Sequence, residues 1–355
     1  MKMLIVVVFA ATSFSTVSLA QTKSTLEVGG FADIYYGYDF SRPPSRTRSY
    51  FTQATRHGEF NVNLAYIEAK HAGEKTRGRL ALQTGTSVVA NYAGESAANP
   101  STQLDYTLAR MIQEAVVGYR ISPDLWIDAG IFFSHIGFEG WISRDNWNYT
   151  RLIMSDYSPY YQTGVKLTYQ FTPSLSGQLH VLNGWQNIYK SNDTPAVGAQ
   201  IAFAPSSYFS VTYAHLTSRP STFRIYHDLQ AKMSLGESLQ LGAVFDLGQQ
   251  ERTTGGWSTW WTAALLSRYQ WSPLFGTAVR LERYQDPDQH NFTTGTANGA
   301  QINSATVGAD FQFDPKIVWR NEYRIFLSQD AIFPARDGSN WANTSLVSTS
   351  LALTF

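Results

Sequence analysis

"SLVSTSLALTF", residues 345–355, is the stretch on which the fold turns. Val347, Thr349, Leu351, Leu353 and Phe355 fall on one side of a strand, and Ser348, Ser350, Ala352 and Thr354 on the other. A strand with one greasy face and one small, polar face suits two settings. One is a β-sandwich over a dry core; the other is a barrel with lipid outside and water inside.

The same alternation recurs upstream. "LEVGGFADIYYGY" sets Leu26, Val28, Ala32, Ile34 and Tyr36 against Glu27, Asp33 and Tyr35. "RGRLALQTG" sets Leu80 and Leu82 against Arg77, Arg79 and Gln83. "YQTGVKLTYQ" sets Tyr161, Val165, Leu167 and Tyr169 against Gln162, Lys166 and Gln170. In "FRIYHDLQAKM", Phe223, Ile225, Leu229 and Met233 oppose Arg224, Asp228, Gln230 and Lys232. Val279 and Leu281 oppose Arg280 and Glu282; Trp319, Tyr323 and Ile325 oppose Arg320, Glu322 and Arg324. Charged and amide groups thus occupy one face in strand after strand, over a length that single sandwich domains rarely reach.

The connections discriminate further. Short ones, carrying Gly, Pro, Asp or Ser, fall at 73–76, 122–124, 172–174, 204–207, 236–237, 271–273 and 314–316. Longer polar ones fall at 41–57, 89–110, 134–159, 186–195, 217–222, 248–256, 285–299 and 330–339. Short and long alternate without a break, as in outer-membrane barrels with tight inner turns and long outer loops. Fifteen connections predict an all-β, transmembrane, antiparallel up-and-down barrel of about sixteen strands, wide enough for a water-filled channel. The last strand then closes on the first, because an open edge cannot persist in hydrocarbon.

Composition agrees with that reading. Aromatic residues make up 14% and charged residues 15%, against about 25% charged in ordinary soluble domains. Residues 1–20, "MKMLIVVVFAATSFSTVSLA", combine a positive start, a short apolar run and small residues before a cut ahead of Gln21, as a secretory signal peptide does. Residues 21–355 are then one barrel domain. There is no cysteine, which removes thiol catalysis, cysteine metal sites and disulfides. Lys plus Arg and Asp plus Glu tie at 27 each, so removing Lys2 leaves about −1 and no pull on nucleic acid.

Two stretches carry a family resemblance. "SPYYQTGVKLTYQFTPSLSGQLHVLNGWQN" (158–187) and "WIDAGIFFSHIGFEGW" (126–141) are similar to the middle of the OmpL-like porin family, the β-barrel porin-2 family. "FNVNLAYIEAK" (60–70) and Phe355 fit the same pattern. The resemblance implies an outer-membrane porin of a Gram-negative bacterium, with no particular substrate. Phe355 behind alternating apolar residues also resembles the signal that such barrels present to the barrel assembly machinery.

Chemistry is sparse. His227 and Asp228 are adjacent in sequence, so on a strand they point to opposite faces and form no dyad. The other histidines show no metal-ligand spacing, and no cofactor is implied. The inward charges carry more weight. Arg77, Arg79, Lys166, Arg224, Lys232, Arg280, Arg320 and Arg324 share the lumen with Asp33, Glu114, Asp128, Asp228, Glu282, Asp310 and Glu322. They either solvate a wet interior or set a transverse field at a constriction.

The segment 134–159 is the candidate constriction. Its Trp141, Ile142, Trp147, Leu152 and Ile153 gain by folding inward, which leaves Glu139, Arg144, Asp145, Arg151 and Asp156 to face the pore. Passive diffusion of small hydrophilic solutes or ions is the leading function. A structural or adhesive barrel and an outer-membrane enzyme are the alternatives. The expected partners are outer-membrane lipids, the assembly machinery, small solutes and, by analogy with porins of this size, two further copies in a homotrimer.

Overall fold

The computed structural model describes residues 24–95, 106–190 and 194–355. The signal-peptide segment 1–20 lies outside the described residues, as does part of the connection 89–110. Sixteen strands close into one antiparallel barrel. They are β1 (Thr25–Asp39), β2 (Phe60–Ala72), β3 (Thr76–Thr84), β4 (Ile112–Ser122), β5 (Leu125–Phe133), β6 (Tyr161–Thr172), β7 (Leu175–Leu182) and β8 (Ala196–Ser206). The circuit continues through β9 (Phe209–Ser218), β10 (Arg224–Leu235), β11 (Leu239–Glu251), β12 (Trp257–Ser272), β13 (Phe275–Asp286), β14 (Ala300–Asp314) and β15 (Ile317–Ser328). It ends on β18 (Asn343–Thr354), because a two-residue ribbon, β16 (Phe333–Pro334) with β17 (Asn340–Trp341), sits in the last loop.

Each strand pairs with its neighbour in sequence, and β18 closes on β1 with Asp33 opposite Ala352 and Ile34 opposite Leu351. Phe355 extends the seam: its N–H donates to the Gly30 carbonyl and its carbonyl accepts from the Gly30 N–H, both at 3.0 Å. Glycine at position 30 permits this approach, since a Cβ there would lie 2.4 Å from the Phe355 ring and 2.8 Å from the Tyr66 carbonyl oxygen. Residues 345–355 therefore have the phase that their alternation predicts. Val347, Leu351, Leu353 and Phe355 are exposed outward, and Ser348, Ser350 and Ala352 are buried inward.

The outer wall is apolar, with Val28, Leu80, Val117, Leu265, Leu281 and Val307 exposed along its height. Exposed aromatics gather beside the short turns, among them Tyr119, Phe171, Phe203, Trp271, Phe313 and Trp319. A second set, including Phe40, Phe60, Trp257 and Trp341, marks the long-loop rim. An apolar band between two aromatic girdles is what a barrel in lipid requires.

One assigned phase needs correction. Alternation sets Tyr161 with the lipid-facing Val165 and Leu167, but it is fully buried beneath the loop that follows β3. Its ring stacks on Tyr92 at 4.3 Å between centroids, and its hydroxyl donates to Glu95 at 2.7 Å. A strand end held by a loop no longer obeys the period-two rule that the membrane imposes further down.

The interior is packed rather than empty on the long-loop side. Loops from three connections bring Phe51, Ile153, Met154, Ile332 and Phe333 together with the wall residues Tyr226, Trp260, Tyr284 and Phe326. Four of the five non-glycine residues with positive φ (Arg42, Arg46, Tyr50 and Ala54) lie in the first loop, which turns sharply inward to deliver Phe51.

Candidate functional site

The segment between β5 and β6, residues 134–160, leaves the wall and crosses the lumen, as its apolar content predicts. Ile136, Phe138, Trp141, Leu152, Ile153 and Met154 are all buried. Each such side chain taken out of water contributes roughly 1.5–3 kcal/mol before entropy is counted. Phe138, Leu152 and Trp147 pack on Val244, Ala264 and Leu266 of β11 and β12. Here the inner wall is greasy, and alternation by itself could not tell its two faces apart.

The loop starts on a histidine clamp. His135 lies flat on His180, with centroids 4.1 Å apart, and its ring nitrogens meet Gln162 Oε1 at 2.9 Å and the His215 carbonyl at 3.0 Å. Gly198 makes room for the clamp, because a Cβ there would come within 2.5 Å of the His135 ring and force it to shift. The chain then passes Asp228, which accepts the Gly137 N–H at 2.5 Å.

Mid-loop, the backbone is only briefly helical: a single 3-10 turn at Ser143–Asp145 and a short helix at Ile153–Tyr157. Its remaining carbonyls and N–H groups need partners, and buried backbone polar groups are costly when left without them. Three wall arginines supply the partners. Arg280 donates to the Thr150 carbonyl at 2.6 Å and to Glu139 Oε1 at 2.7 Å. Arg320 donates to the carbonyls of Asn146 and Trp147, both at 2.9 Å, and to that of Ser143. Arg324 donates to the Arg151 carbonyl at 2.6 Å and to Glu282 at 2.8 Å. Wall carboxylates take the N–H groups: Glu322 accepts from Thr150 and Glu282 from Ile153, at 3.1 and 2.7 Å.

The far edge of the loop reaches the short-turn rim. Ser143 donates to Asp33 of β1 at 2.7 Å, and Arg144 donates to Thr354 Oγ1 and to the Pro315 carbonyl. The loop is thereby tied to the first strand, the last strand and the β14–β15 turn.

This geometry changes the role of several expected pore-lining groups. Glu139, Arg151, Arg280, Glu282, Arg320 and Arg324 are buried, at 5% exposure or less. They form the seam between loop and wall, so they are not free to present charge to an open channel. Arg151 is spent on Asp156, at 3.1 Å with a nearly buried carboxylate. Asp145 alone among the loop charges is exposed; Arg144 is half-buried at the rim.

Arg77, Arg79 and Lys166 do face an open space, a cavity of about 530 Å³ between β1 and β7 that Glu27, Lys70, Glu114 and Asp128 also line. Arg77 is paired with Asp128 at 2.5 Å, and Arg79 with Glu68 at 2.6 Å and with Glu114. Arg224 sits at the long-loop end of β10, over Trp185 at 4.7 Å, and donates to Gln250 at 2.6 Å. A second space of about 420 Å³ lies between β8 and β11, against Trp147, Lys232 and Gln240.

Sequence reading missed Ser143, Asn146 and Thr150, whose signal was only an irregular polar loop. It also missed Arg268, inward on β12 in phase with Leu266. The connection 89–110 was read as polar and outward, yet its beginning joins the filling. Tyr92 is fully buried against Trp141, and just upstream the Trp141 indole donates to Ser87 of the helix Thr86–Asn91 at 3.1 Å.

A closed sixteen-strand barrel with an apolar outer band and a loop seated in its lumen defines an outer-membrane porin, a channel-forming protein. The sequence agrees: residues 25–355 match the family described as "Putative beta-barrel porin-2, OmpL-like", and the chain belongs to that family. Solved porins share the fold. An anion-selective porin from Comamonas acidovorans is similar at a TM-score of 0.61 and 9% identity, covering 94% of this chain and 100% of that one. OmpF of Salmonella typhi, in complex with daunomycin, is similar at 0.59 and 16% identity, over 93% and 97% of the two chains. OmpT of Vibrio cholerae, in its trimer form, is similar at 0.61 and 7% identity, over 94% and 99%. No curated protein matches the sequence.

Proposed function

We propose that this porin passes small hydrophilic solutes or ions passively, around the inserted loop 134–160 and through the two spaces on the short-turn side. The observation that carries the reading is the seating of that loop. Arg280, Arg320 and Arg324 fix its path, so it narrows the lumen to a set width and does not flap within it. The residues that line the route are then Arg77, Arg79, Lys166 and Asp145, with Arg224 at the mouth. Residues 1–20 direct export, and the chain works in the outer membrane as a homotrimer.

The protein is read as a channel and not an enzyme. In support, the histidines are engaged structurally, with His135 clamping the loop and His227 bonded to Tyr213 at 2.7 Å. Phe355 is proposed as the assembly signal, since its ring and backbone are presented at the closing seam. Replacing Phe355 by Asp should then lower folded yield far more than it alters the conductance of the molecules that do fold.

The apolar filling on the long-loop side favours one second reading, a plugged barrel whose loops serve a structural or adhesive role. Single-channel recording of purified protein in planar bilayers separates the two, together with swelling of sugar-loaded liposomes. Discrete steps and swelling support the channel; a silent, fully folded barrel would leave the plugged reading.

A further inference from the structure

Most of the charges that stand without an ion pair in the open part of the lumen are positive. Most acidic side chains on that wall are tied down; Glu27 at the turn rim and Asp145 on the loop are the carboxylates that line a space with no cation within 4.0 Å. Glu114 is held by Arg79, Asp128 by Arg77, Asp310 by Arg320 and Glu282 by Arg324. Asp228 and Asp246, opposite each other on β10 and β11, are buried where Asp228 receives the Gly137 N–H. By contrast, Lys166, Lys232 and Arg268 have no carboxylate within 4.0 Å among the described residues.

What these cations have instead is aromatic and polar surroundings. The Lys166 ammonium stands 4.7 Å from the centre of the Phe132 ring and the Lys232 ammonium 4.3 Å from that of Phe138. Arg268 lies across from Gln240 in the strand register, and its Nε is buried without a partner. Lys232 lies across from Ser210. The cavity between β8 and β11 is lined by Lys232, Gln240, Ser206, Ser210, Tyr208 and Trp147, and Lys232 is the one charged group among its lining residues. The cavity between β1 and β7 carries four cationic side chains, Lys70, Arg77, Arg79 and Lys166, against three carboxylates, Glu27, Glu114 and Asp128.

A cation over a ring keeps some stabilisation but gives up part of its water. The carboxylates whose charge reaches these cations are Asp128 and Glu114 for Lys166, Glu139 for Lys232 and Asp310 for Arg268. They are themselves engaged by the arginines Arg77, Arg79, Arg280 and Arg320. A passing anion answers the charge of Lys166, Lys232 and Arg268; a passing cation is repelled by it. Hydroxyl and amide groups beside the ammonium can replace hydration that an anion sheds at the narrow point.

We infer that the short-turn half of the lumen is an anion path, in which Lys166, Lys232 and Arg268 hold small inorganic or carboxylate anions in transit. The inference rests on the channel reading and names its solute class. It departs from a balanced transverse field, because the greater part of the acidic half of such a field is consumed in ion pairs and in seating the loop, and Lys232 is the one charged group lining the space between β8 and β11.

The test is the reversal potential of purified protein in planar bilayers under a gradient of potassium chloride. The wild type should prefer chloride, with the same sign when acetate replaces it. Combined Lys166→Gln, Lys232→Gln and Arg268→Gln should reduce the chloride-to-potassium permeability ratio several-fold, and Lys232→Arg should keep it. Lys316→Gln, which removes an exposed charge at the β14–β15 turn, should leave it unchanged. A wild type that is unselective or prefers potassium overturns the inference while leaving the channel standing, and this arm needs no variant to fold. An unaltered ratio in a folded triple variant also overturns it. Absence of any conductance defeats both this inference and the channel reading.

Discussion

Arg280 Nη1 meets Glu139 Oε1 at 2.7 Å, and both side chains are sealed from solvent, joining the middle of β13 to the loop that crosses the lumen. The same guanidinium holds the Thr150 carbonyl, so one wall residue fixes the loop at two points eleven positions apart in sequence. Alternation places Arg280 only as an inward charge in a wet lumen, where Arg280→Glu would alter ion preference without loss of stability. The burial argues otherwise. Arg280→Glu would place two carboxylates and an orphaned carbonyl in one dry seam. Removing one partner of a buried pair costs about 3–5 kcal/mol, so Arg280→Met should destabilise by that order. Glu139→Leu added to Arg280→Met should recover part of it. Urea midpoints of the folded, heat-modifiable form across this double-mutant cycle measure the coupling.

One residue along, Leu281 points outward and is exposed to the membrane. Leu281→Arg should cost roughly 2–4 kcal/mol if the position lies at the bilayer midplane. Arg283, two positions nearer the long-loop rim, shows how an outward arginine is accommodated there: it donates to Asn303 at 3.0 Å. Folding titrations in lipid vesicles should find Leu281→Arg clearly weaker than wild type, and a neutral result would mean that the band is displaced along the barrel.

Shortening the loop 134–160 should widen the channel and also weaken the barrel. Removing it strips partners from Arg280, Arg320, Arg324, Glu282 and Glu322 and releases the tie from Arg144 to Thr354. The expected outcome is larger unit conductance, admission of larger sugars and a lowered melting midpoint. The connection 89–110 also contributes to the packing, since Tyr92 stacks on Tyr161 and lies against Trp141. Its removal should lower stability too. A loop deletion that left the melting midpoint untouched would show that the wall charges find other partners at no cost.

His290, in the loop after β13, lies flat on Trp260 with centroids 4.0 Å apart and approaches Arg224 at 3.2 Å. Burial first, and then the Arg224 charge, push its pKa from 6.5 down to about 4, against the opposing pull of Asp288. A base whose folded pKa is depressed takes up its proton more readily once released. Docking of this loop is therefore fully stable above pH 6.5 and loses stability as the pH falls from 6.5 toward 4. Tryptophan fluorescence or proteolysis of the loop should change across that window. In His290→Phe, which keeps the stack and lacks the proton, the change should vanish.

Much of this protein was legible in the sequence, for one physical reason. Lipid on one side of a wall and water on the other force every second residue to differ, and Leu351 against Ser350 or Leu281 against Arg280 record that difference locally. The seven short turns and eight long loops record the topology in the same way, since Gly, Pro, Asp and Ser act on the chain within a few residues. The inward folding of 134–159 was legible too, because exposed Trp141, Leu152 and Ile153 would waste apolar surface. Strand count, closure of β18 on β1 and the loop in the lumen all follow from rules that act on near neighbours.

What the wall charges do could not be read this way, and only the tertiary structure decided it. Arg320 and the Asn146 carbonyl are 174 positions apart, and Arg144 and Thr354 are 210 apart. Whether an inward arginine faces water or caps a loop carbonyl depends on where a distant, irregular segment comes to rest. That resting place is set by packing of Phe138 and Leu152 on Val244, Ala264 and Leu266, on a stretch of inner wall that has no polar face to read. Alternation reports which side of the sheet a residue takes; it carries no information about what fills the space that side encloses.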